Sequence, residues 1–185
     1  MRLLLPLLLL TACPDQTGLQ CPPNTSLVGN YALTFTAQDA GDECIAVDPD
    51  GGAKVKLAIT PPFVKGATLC VTTAGDAGPQ LQLLSPNKGS KTSDVLADGG
   101  FHFTGAPVPP GTQTACICDV NVTETVDGYL VTGGDFALRP DGGLPPILGM
   151  KATLVDLLTD GGSATPCRCT LPCTVTYALD GTPFE

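Results

Sequence analysis

The chain has 185 residues, enough for one domain with a real core, since a domain of this size buries about 70% of the surface that its unfolded chain exposes. Its 22 Gly and 18 Pro favour turns and strands over helices. The formal net charge is −9 and the few basic residues form no cluster, so we expect no nucleic-acid partner.

Residues 1–12 have the pattern of a secretory signal. Arg2 precedes an apolar run over residues 3–10, which is too short to span a bilayer because a spanning helix needs about 20 apolar residues. The tetrapeptide Leu10-Thr11-Ala12-Cys13 follows, and it resembles the lipobox of bacterial lipoproteins. The resemblance implies that residues 1–12 are removed and that Cys13 becomes the acylated first residue.

The lipobox resemblance implies several acyl chains, such as palmitate, on Cys13, enough for lasting attachment to a membrane. We therefore expect a domain outside the cytoplasm, lipid-anchored in the cell envelope, with the membrane as partner through this lipid. The sequence does not decide between the inner and the outer membrane. The alternative is an ordinary secreted protein with an unmodified Cys13.

Residues 13–27 are polar and contain Pro, which predicts a tether, and residues 28–185 are expected to form a single domain. Alternation of apolar and polar residues predicts about ten short strands. Turn residues, not amphipathic helical stretches, separate them. The predicted strands are 31–36, 54–59, 67–73, 80–84, 101–104, 113–125, 128–132, 134–139, 150–158 and 173–179.

Asp-Gly-Gly starts at residues 50, 98, 141 and 160, and Asp-Gly at 127 and 180, which predicts tight hairpin turns at all six places. The expected fold is all-β: a single antiparallel β-sandwich or a small β-barrel of about 8–10 short strands, stapled by disulfides. Gly29-Asn30-Tyr31 is similar to the Gly-x-Trp that opens the first strand of lipocalin-like barrels, with Tyr in place of Trp. That resemblance implies, as one variant of the fold, a small barrel that encloses a ligand cavity.

The acidic stretch Asp48-Pro49-Asp50-Gly51 resembles a fragment of a calcium loop. Calcium takes six to eight oxygen ligands, and the fragment lacks the rest of the ligand ladder. Asp48 and Asp50 are therefore a weak calcium candidate, and a solvated turn is the expected structure. No cofactor is expected.

His102 is the sole histidine, and it lies between two phenylalanines. If Phe101 and Phe103 point inward, strand alternation places His102 on the solvent face. A catalytic role would require a pocket that unites His102 with an acid and a hydroxyl. Since Gly-x-Ser-x-Gly is also absent from the sequence, we do not expect an enzyme.

Nine cysteines are an odd number for an exported protein, and acylation of Cys13 would leave an even eight. Cys-x-Cys occurs twice, at residues 116–118 and 167–169, each time with both sulfurs on the apolar parity of an alternating run. That spacing also suits a thiolate metal site, but disulfides are favoured outside the cytoplasm. Pro172 predicts an edge, a bulge or a break in its run. The eight remaining cysteines allow 105 pairings, which stay open at this point: Cys21, Cys44, Cys70, Cys116, Cys118, Cys167, Cys169 and Cys173.

These features predict a lipid-anchored β-domain with a structural or interaction role at the cell envelope. The alternative is a barrel-type carrier of a small apolar ligand, which predicts an apolar cavity above ~300 Å³.

Overall fold

The computed structural model describes residues 19–38, 44–47, 54–56, 66–72, 78–86, 89–105, 108–113, 116, 118–162, 164 and 166–184. These residues form eleven β-strands and no helix, which confirms the all-β prediction. The strands are β1 (Ser26–Gln38), β2 (Ile45–Val47), β3 (Lys54–Lys56), β4 (Ala67–Thr72), β5 (Gln80–Ser85), β6 (Gly89–Asp94), β7 (Gly100–Thr104), β8 (Val108–Gln113), β9 (Cys118–Thr132), β10 (Ile147–Asp160) and β11 (Cys173–Phe184).

Eight of the strands form an antiparallel, nearly closed barrel. Hydrogen-bonded neighbours follow the order β6-β5-β4-β1-β11-β10-β9-β7, and β6 also packs beside β7. Around this ring the strands follow one another in chain order, as in an up-and-down barrel. β8 pairs with the first part of β9, and β2 and β3 form a separate hairpin. Of the two architectures that the sequence allowed, the structure has the barrel.

The ring has one seam, between β6 and β7. No β-ladder joins these two strands in the part of the chain that the structure describes. Instead, the backbone N–H of His102 donates to Ser93 Oγ (2.8 Å), and the hairpin is closed by a bond from Leu96 N–H to the Gly100 carbonyl (2.9 Å). A side chain thus takes the place of part of the missing ladder.

Alternating residues of the strands fill the barrel. The main core contains the fully buried Tyr31, Leu69, Phe103 and Leu154. A second, smaller core lies toward the end of the barrel where β9 and β11 begin and β10 ends. We call it the disulfide cap; its buried residues are Cys44, Ala46, Cys116, Cys118, Val120, Leu158, Cys169 and Cys173.

The opposite end of the barrel is covered by residues 133–146, which connect β9 to β10. Phe136 and Leu144 of this connection pack against the main core. We call this the loop-covered end. β1 also begins here. The residues before β1 run along the outside of β4, where Leu19 N–H donates to Thr68 Oγ1 (2.9 Å) and Cys21 forms a disulfide with Cys70.

In three of the four Asp-Gly-Gly motifs the Asp side chain makes the same local hydrogen bond. In each, the Asp carboxylate accepts a hydrogen bond from the backbone N–H two residues later. A turn is present at 98, between β6 and β7, and at 141, inside the connection from β9 to β10, whereas the hairpin turn predicted at 160 is not formed, because β10 ends there and β11 begins only at Cys173. The fourth motif, at 50, lies outside the described residues. The bonds run from Gly100 to Asp98 (2.9 Å), from Gly143 to Asp141 (3.0 Å) and from Gly162 to Asp160 (2.9 Å).

The turns predicted at the two Asp-Gly pairs are wrong, because both pairs lie inside strands. A Cβ on Gly128 would stand 2.3 Å from the Lys151 carbonyl oxygen, and one on Gly181 would stand 2.4 Å from Met150 Cγ. These glycines therefore permit a close approach between neighbouring strands. As a result β9 is one strand where two were predicted.

Three further predictions of secondary structure differ from the fold. Residues 134–139 are not a strand but part of the connection over the loop-covered end. β6 was missed because its sequence, Gly-Ser-Lys-Thr-Ser-Asp, has no apolar residue to alternate. β8 was missed because Pro109 and Pro110 interrupt its alternation. The predicted interruption at Pro172 is confirmed, since β11 begins at Cys173.

Candidate functional site

Two of the predicted sites lie outside the described residues. Cys13 is the predicted lipid attachment point, and Asp48 and Asp50 are the weak calcium candidate. Both therefore stay predictions. Among the residues that the structure describes, no group of three or more His, Cys, Asp or Glu side chains could hold a metal ion.

The eight other cysteines form four disulfides, so the thiolate alternative does not apply to them. The pairs are Cys21–Cys70, Cys44–Cys173, Cys116–Cys169 and Cys118–Cys167. Three of them belong to the disulfide cap. Because disulfides persist in oxidising compartments, the pairing indicates an oxidising environment outside the cytoplasm.

Two of the cap disulfides are nested. They join the segment 116–118 to the segment 167–169, which runs antiparallel to it. A backbone hydrogen bond from Arg168 N–H to the Cys116 carbonyl (3.0 Å) lies between them. The connection from β10 to β11 is thus fixed to the start of β9 at two adjacent points.

His102 lies on the solvent face of β7, as strand alternation predicted: Phe101 and Phe103 are buried and the histidine side chain is 58% exposed. Its Nδ1 contacts a carboxylate oxygen of Asp127, the cross-strand partner on β9. Its Nε2 lies 2.9 Å from Thr104 Oγ1, two residues along β7. The structure therefore brings His102 together with an acid and a hydroxyl.

The order hydroxyl, imidazole, carboxylate is that of a nucleophile, its base and the group that orients the base. The surroundings do not match an active site, however, because all three side chains are exposed on the wall of the barrel. Catalysis of acyl transfer depends most on donors fixed in a water-excluded site. The group as it stands is a hydrogen-bonded chain on a strand surface.

A cleft of about 290 Å³ opens at the loop-covered end. Its walls come from the first residues of β1, from Val71 of β4 and from the connection that leads into β10. The lining surface is divided almost equally between apolar and polar atoms, and one cation, Arg139, belongs to it. The Arg139 guanidinium also binds the Asp141 carboxylate (3.2 Å), and both side chains are more than half exposed. The residues that line the cleft are Ser26, Leu27, Val28, Val71, Arg139, Gly143, Leu144, Pro145, Pro146 and Ile147.

The loop-covered end also carries most of the exposed apolar side chains of the described residues. Large exposed apolar side chains concentrated in one region mark interaction sites in soluble proteins. This end therefore differs from the polar walls of the barrel. The exposed residues at or next to it are Leu27, Leu96, Tyr129, Leu138 and Leu148.

Three buried ionisable residues were not predicted. Lys91 of β6, Glu124 of β9 and Asp156 of β10 are 8%, 5% and 1% exposed. The sequence holds a signal for the two acids, because each interrupts the apolar parity of a strand: Glu124 follows Val120 and Val122 at a spacing of two. No such signal marks Lys91 in its polar strand.

Two buried tyrosines also face the interior. Tyr31 is fully buried, and its hydroxyl has no hydrogen-bond partner among the described residues. Burial raises the pKa of Tyr31 to about 12. Burial and, to a lesser extent, the charge of Asp156 raise the pKa of Tyr177.

None of the described residues belongs to a helix that is long and apolar enough to cross a membrane. No protein-family model, curated protein or solved structure matches this chain.

Proposed function

We propose that this chain is a lipid-anchored β-domain that works as an interaction module at the cell envelope, outside the cytoplasm, and that its loop-covered end is the binding face. The cleft at this end, which combines apolar side chains with the cation of Arg139, is the observation that carries the proposal. The lipobox resemblance supports the anchor, and the four disulfides suit the compartment.

The cleft suits a small amphipathic molecule with an apolar body and an anionic group. Leu27, Val28 and Leu144 offer apolar contacts, and Arg139 has donors to spare beyond its bond to Asp141. The volume of about 290 Å³ is close to the lower limit of about 300 Å³ for ligand pockets. This proposal moves the expected apolar ligand from the barrel interior, where Phe103 and Leu154 are buried, to its end.

Hexanoate is the probe for this proposal, and hexylammonium, with the same apolar body and the opposite charge, is its matched control. Methyl NMR of the full mature protein in lipid nanodiscs follows Val28 and Leu144. We expect saturable shifts of these two methyl signals with hexanoate. Ser26→Trp should block the cleft from its exposed rim. Equal binding of hexylammonium, or unmoved signals with both probes, would overturn the assignment of the ligand.

Arg139→Gln tests the anionic group. We expect it to weaken hexanoate binding on the order of tenfold, because it removes a charge-assisted contact. Arg168→Gln is the matched control, since Arg168 lies at the disulfide cap, away from the cleft. Two variants with the same affinity would show that Arg139 does not contact the ligand.

Intact mass spectrometry of protein extracted from membranes tests the anchor. Acylation predicts the loss of residues 1–12 and a mass gain of several acyl chains on Cys13. Cys13→Ser should release the domain from the membrane fraction and keep its four disulfides. An unmodified Cys13 in the native protein would contradict the lipid anchor and leave the cleft to be judged by the NMR experiment alone.

A further inference from the structure

Lys91, Glu124 and Asp156 form a buried group between the two cores. Lys91 Nζ contacts Glu124 Oε1. Glu124 and Asp156 are direct cross-strand partners on β9 and β10. Along β10, Asp156 lies between Leu154 of the main core and Leu158 of the disulfide cap. One amine and two carboxyl groups therefore share a site with apolar surroundings on both sides.

The group lies behind the seam of the barrel. Lys91 belongs to β6, one edge of the seam, while Glu124 belongs to the strand that pairs with β7, the other edge. Gly105, just after β7, makes room for the amine: a Cβ there would stand 2.9 Å from Lys91 Nζ. The Gly105 N–H donates to the Glu124 carbonyl (2.8 Å), so the backbone holds Glu124 at this point.

This environment favours neutral groups over charged ones. A buried ion pair recovers its desolvation cost only with very good geometry, and two carboxylates directly opposite each other on a sheet repel. Proton transfer from the ammonium group gives an amine and a carboxylic acid, the forms that burial prefers. An amine held against a carboxyl group in a water-poor site is a nucleophile in place for condensation.

We propose that Lys91 and Glu124 condense into an amide bond inside the folded barrel, with Asp156 moving the protons. The Nζ lone pair attacks Glu124 Cδ and forms the N–Cδ bond, and one Cδ–Oε bond breaks. The oxygen leaves as water with two of the three protons of the original ammonium group. Asp156 accepts one of these protons from Nζ and passes it to the leaving oxygen, so it ends in its starting form. Nothing is oxidised or reduced, and the pair is neutral overall before and after.

The bond would close the barrel where the backbone does not. β6 and β7 lack a ladder between them, and an amide would join β6 to β9, the strand that pairs with β7, across that gap. It would also replace an ionisable pair, whose charged form is costly to bury, by a neutral amide. The exclusion of water shifts the equilibrium of condensation toward the amide.

The mass of the wild-type protein tests for the amide bond between Lys91 and Glu124 without any variant. After complete reduction and alkylation of the cysteines, we expect a polypeptide lighter than its sequence by one water molecule, beyond the changes from processing of the N terminus. Proteolysis and tandem mass spectrometry should yield a branched peptide that joins Lys91 to Glu124. A full-mass chain, or a crosslink at any other carboxyl group, would overturn the proposal.

Variants then test the roles of the three residues. Lys91→Met should abolish the loss of water, whereas Lys151→Met, which removes an exposed lysine near Asp180, should retain it. Asp156→Asn should form its four disulfides and yet keep the full mass, and Asp156→Glu should restore the loss. If Asp156→Asn loses water as completely as the wild type, Asp156 does not transfer the proton.

Discussion

The two ends of the barrel are closed in different ways. At the disulfide cap, small side chains and three disulfides hold the chain segments together. At the loop-covered end, Phe136 and Leu144 of the connection pack against the main core, and exposed leucines surround a cleft; the Cys21–Cys70 disulfide holds the residues before β1 to β4 and does not reach this connection. A core as small as the cap buries little apolar area, so covalent bonds replace packing there. The connection over the opposite end, residues 133–146, contains no cysteine, and that end keeps apolar surface available for binding.

Removal of the nested disulfides has the largest expected effect. We expect Cys118→Ala with Cys167→Ala to lower the free energy of unfolding by roughly 2 kcal/mol, because Cys116–Cys169 still closes almost the same loop. All four changes together should cost roughly 6 kcal/mol, because the long loop is then open in the unfolded chain. Guanidinium titrations of the wild type, of the two variants that each lack one nested disulfide and of the variant that lacks both measure the coupling between the two disulfides.

The disulfide Cys44–Cys173 is the control for the nested pair, since it closes the longest loop, with a sequence separation of 129 residues. Its removal should cost roughly 5 kcal/mol in one step. If removal of either nested disulfide alone costs as much as removal of Cys44–Cys173, loop closure does not explain the stability of the disulfide cap.

Gly99 tests how tightly the loop-covered end is packed. Its φ of +82° disfavours any side chain, and a Cβ would stand 2.6 Å from Phe136 Cδ2. We expect Gly99→Ala to cost about 3 kcal/mol, from backbone strain and from overpacking. Unfolding of the variant by guanidinium checks the value.

Gly78→Ala is the matched control, because Gly78 has the same φ of +82° and nothing within 4 Å of its Cβ position. It should cost only about 1 kcal/mol, the strain alone. Phe136→Ala should bring the cost of Gly99→Ala down to that of the control. An unchanged cost in this background would mean that Phe136 does not pack on Gly99 in solution.

Strands with apolar interior residues could be predicted from the sequence, and a strand with polar interior residues could not. Alternation predicted β4, β5 and β7 closely, because apolar residues at every second position of each strand belong to the main core. It could not predict β6, whose inward residues include Lys91 and Ser93, since polar interior residues hide the period. Asp-Gly indicated turns at Gly128 and Gly181, but there the missing side chain serves contact between strands, a property of the folded sheet alone.

The pairing of the cysteines and the closure of the ring were beyond the sequence for a related reason. Cys44 and Cys173 meet only after the strands between them have formed the barrel. The sequence did favour disulfides and an extracytoplasmic compartment, because both depend on number and composition. His102 was predicted on the solvent face, but its contacts with Asp127 and Thr104 depend on the register of β7 against β9.

Tyr31→Phe tests the burial of a hydroxyl in the main core, near the loop-covered end. Its buried hydroxyl has no partner among the described residues, so Tyr31→Phe should stabilise the fold by about 1 kcal/mol at neutral pH. The pKa of Tyr31 is raised from 10.0 to about 12 in the folded state. The neutral form therefore stabilises the wild type fully below pH 10, and this contribution is lost as the pH rises toward 12.

Titrations with guanidinium at several alkaline pH values measure this dependence, and the Phe variant should lose less stability than the wild type across that range. Tyr129→Phe, at an exposed tyrosine, is the control and should follow the wild type. If the stability of Tyr31→Phe fell with pH as steeply as that of the wild type, the hydroxyl of Tyr31 would not be buried in solution.

The smallest effect is expected on the wall between the two ends. His102→Ala removes the exposed contacts with Asp127 and Thr104 and should change the free energy of unfolding by less than about 0.5 kcal/mol, since exposed ion pairs contribute little. Ser93→Ala, by contrast, removes the acceptor that binds the backbone of His102 across the seam, and it should cost about 1 kcal/mol. Guanidinium titrations compare the two variants. A larger cost for His102→Ala than for Ser93→Ala would mean that the exposed side-chain contacts of His102 hold β7 in place, and not the hydrogen bond of Ser93 across the seam.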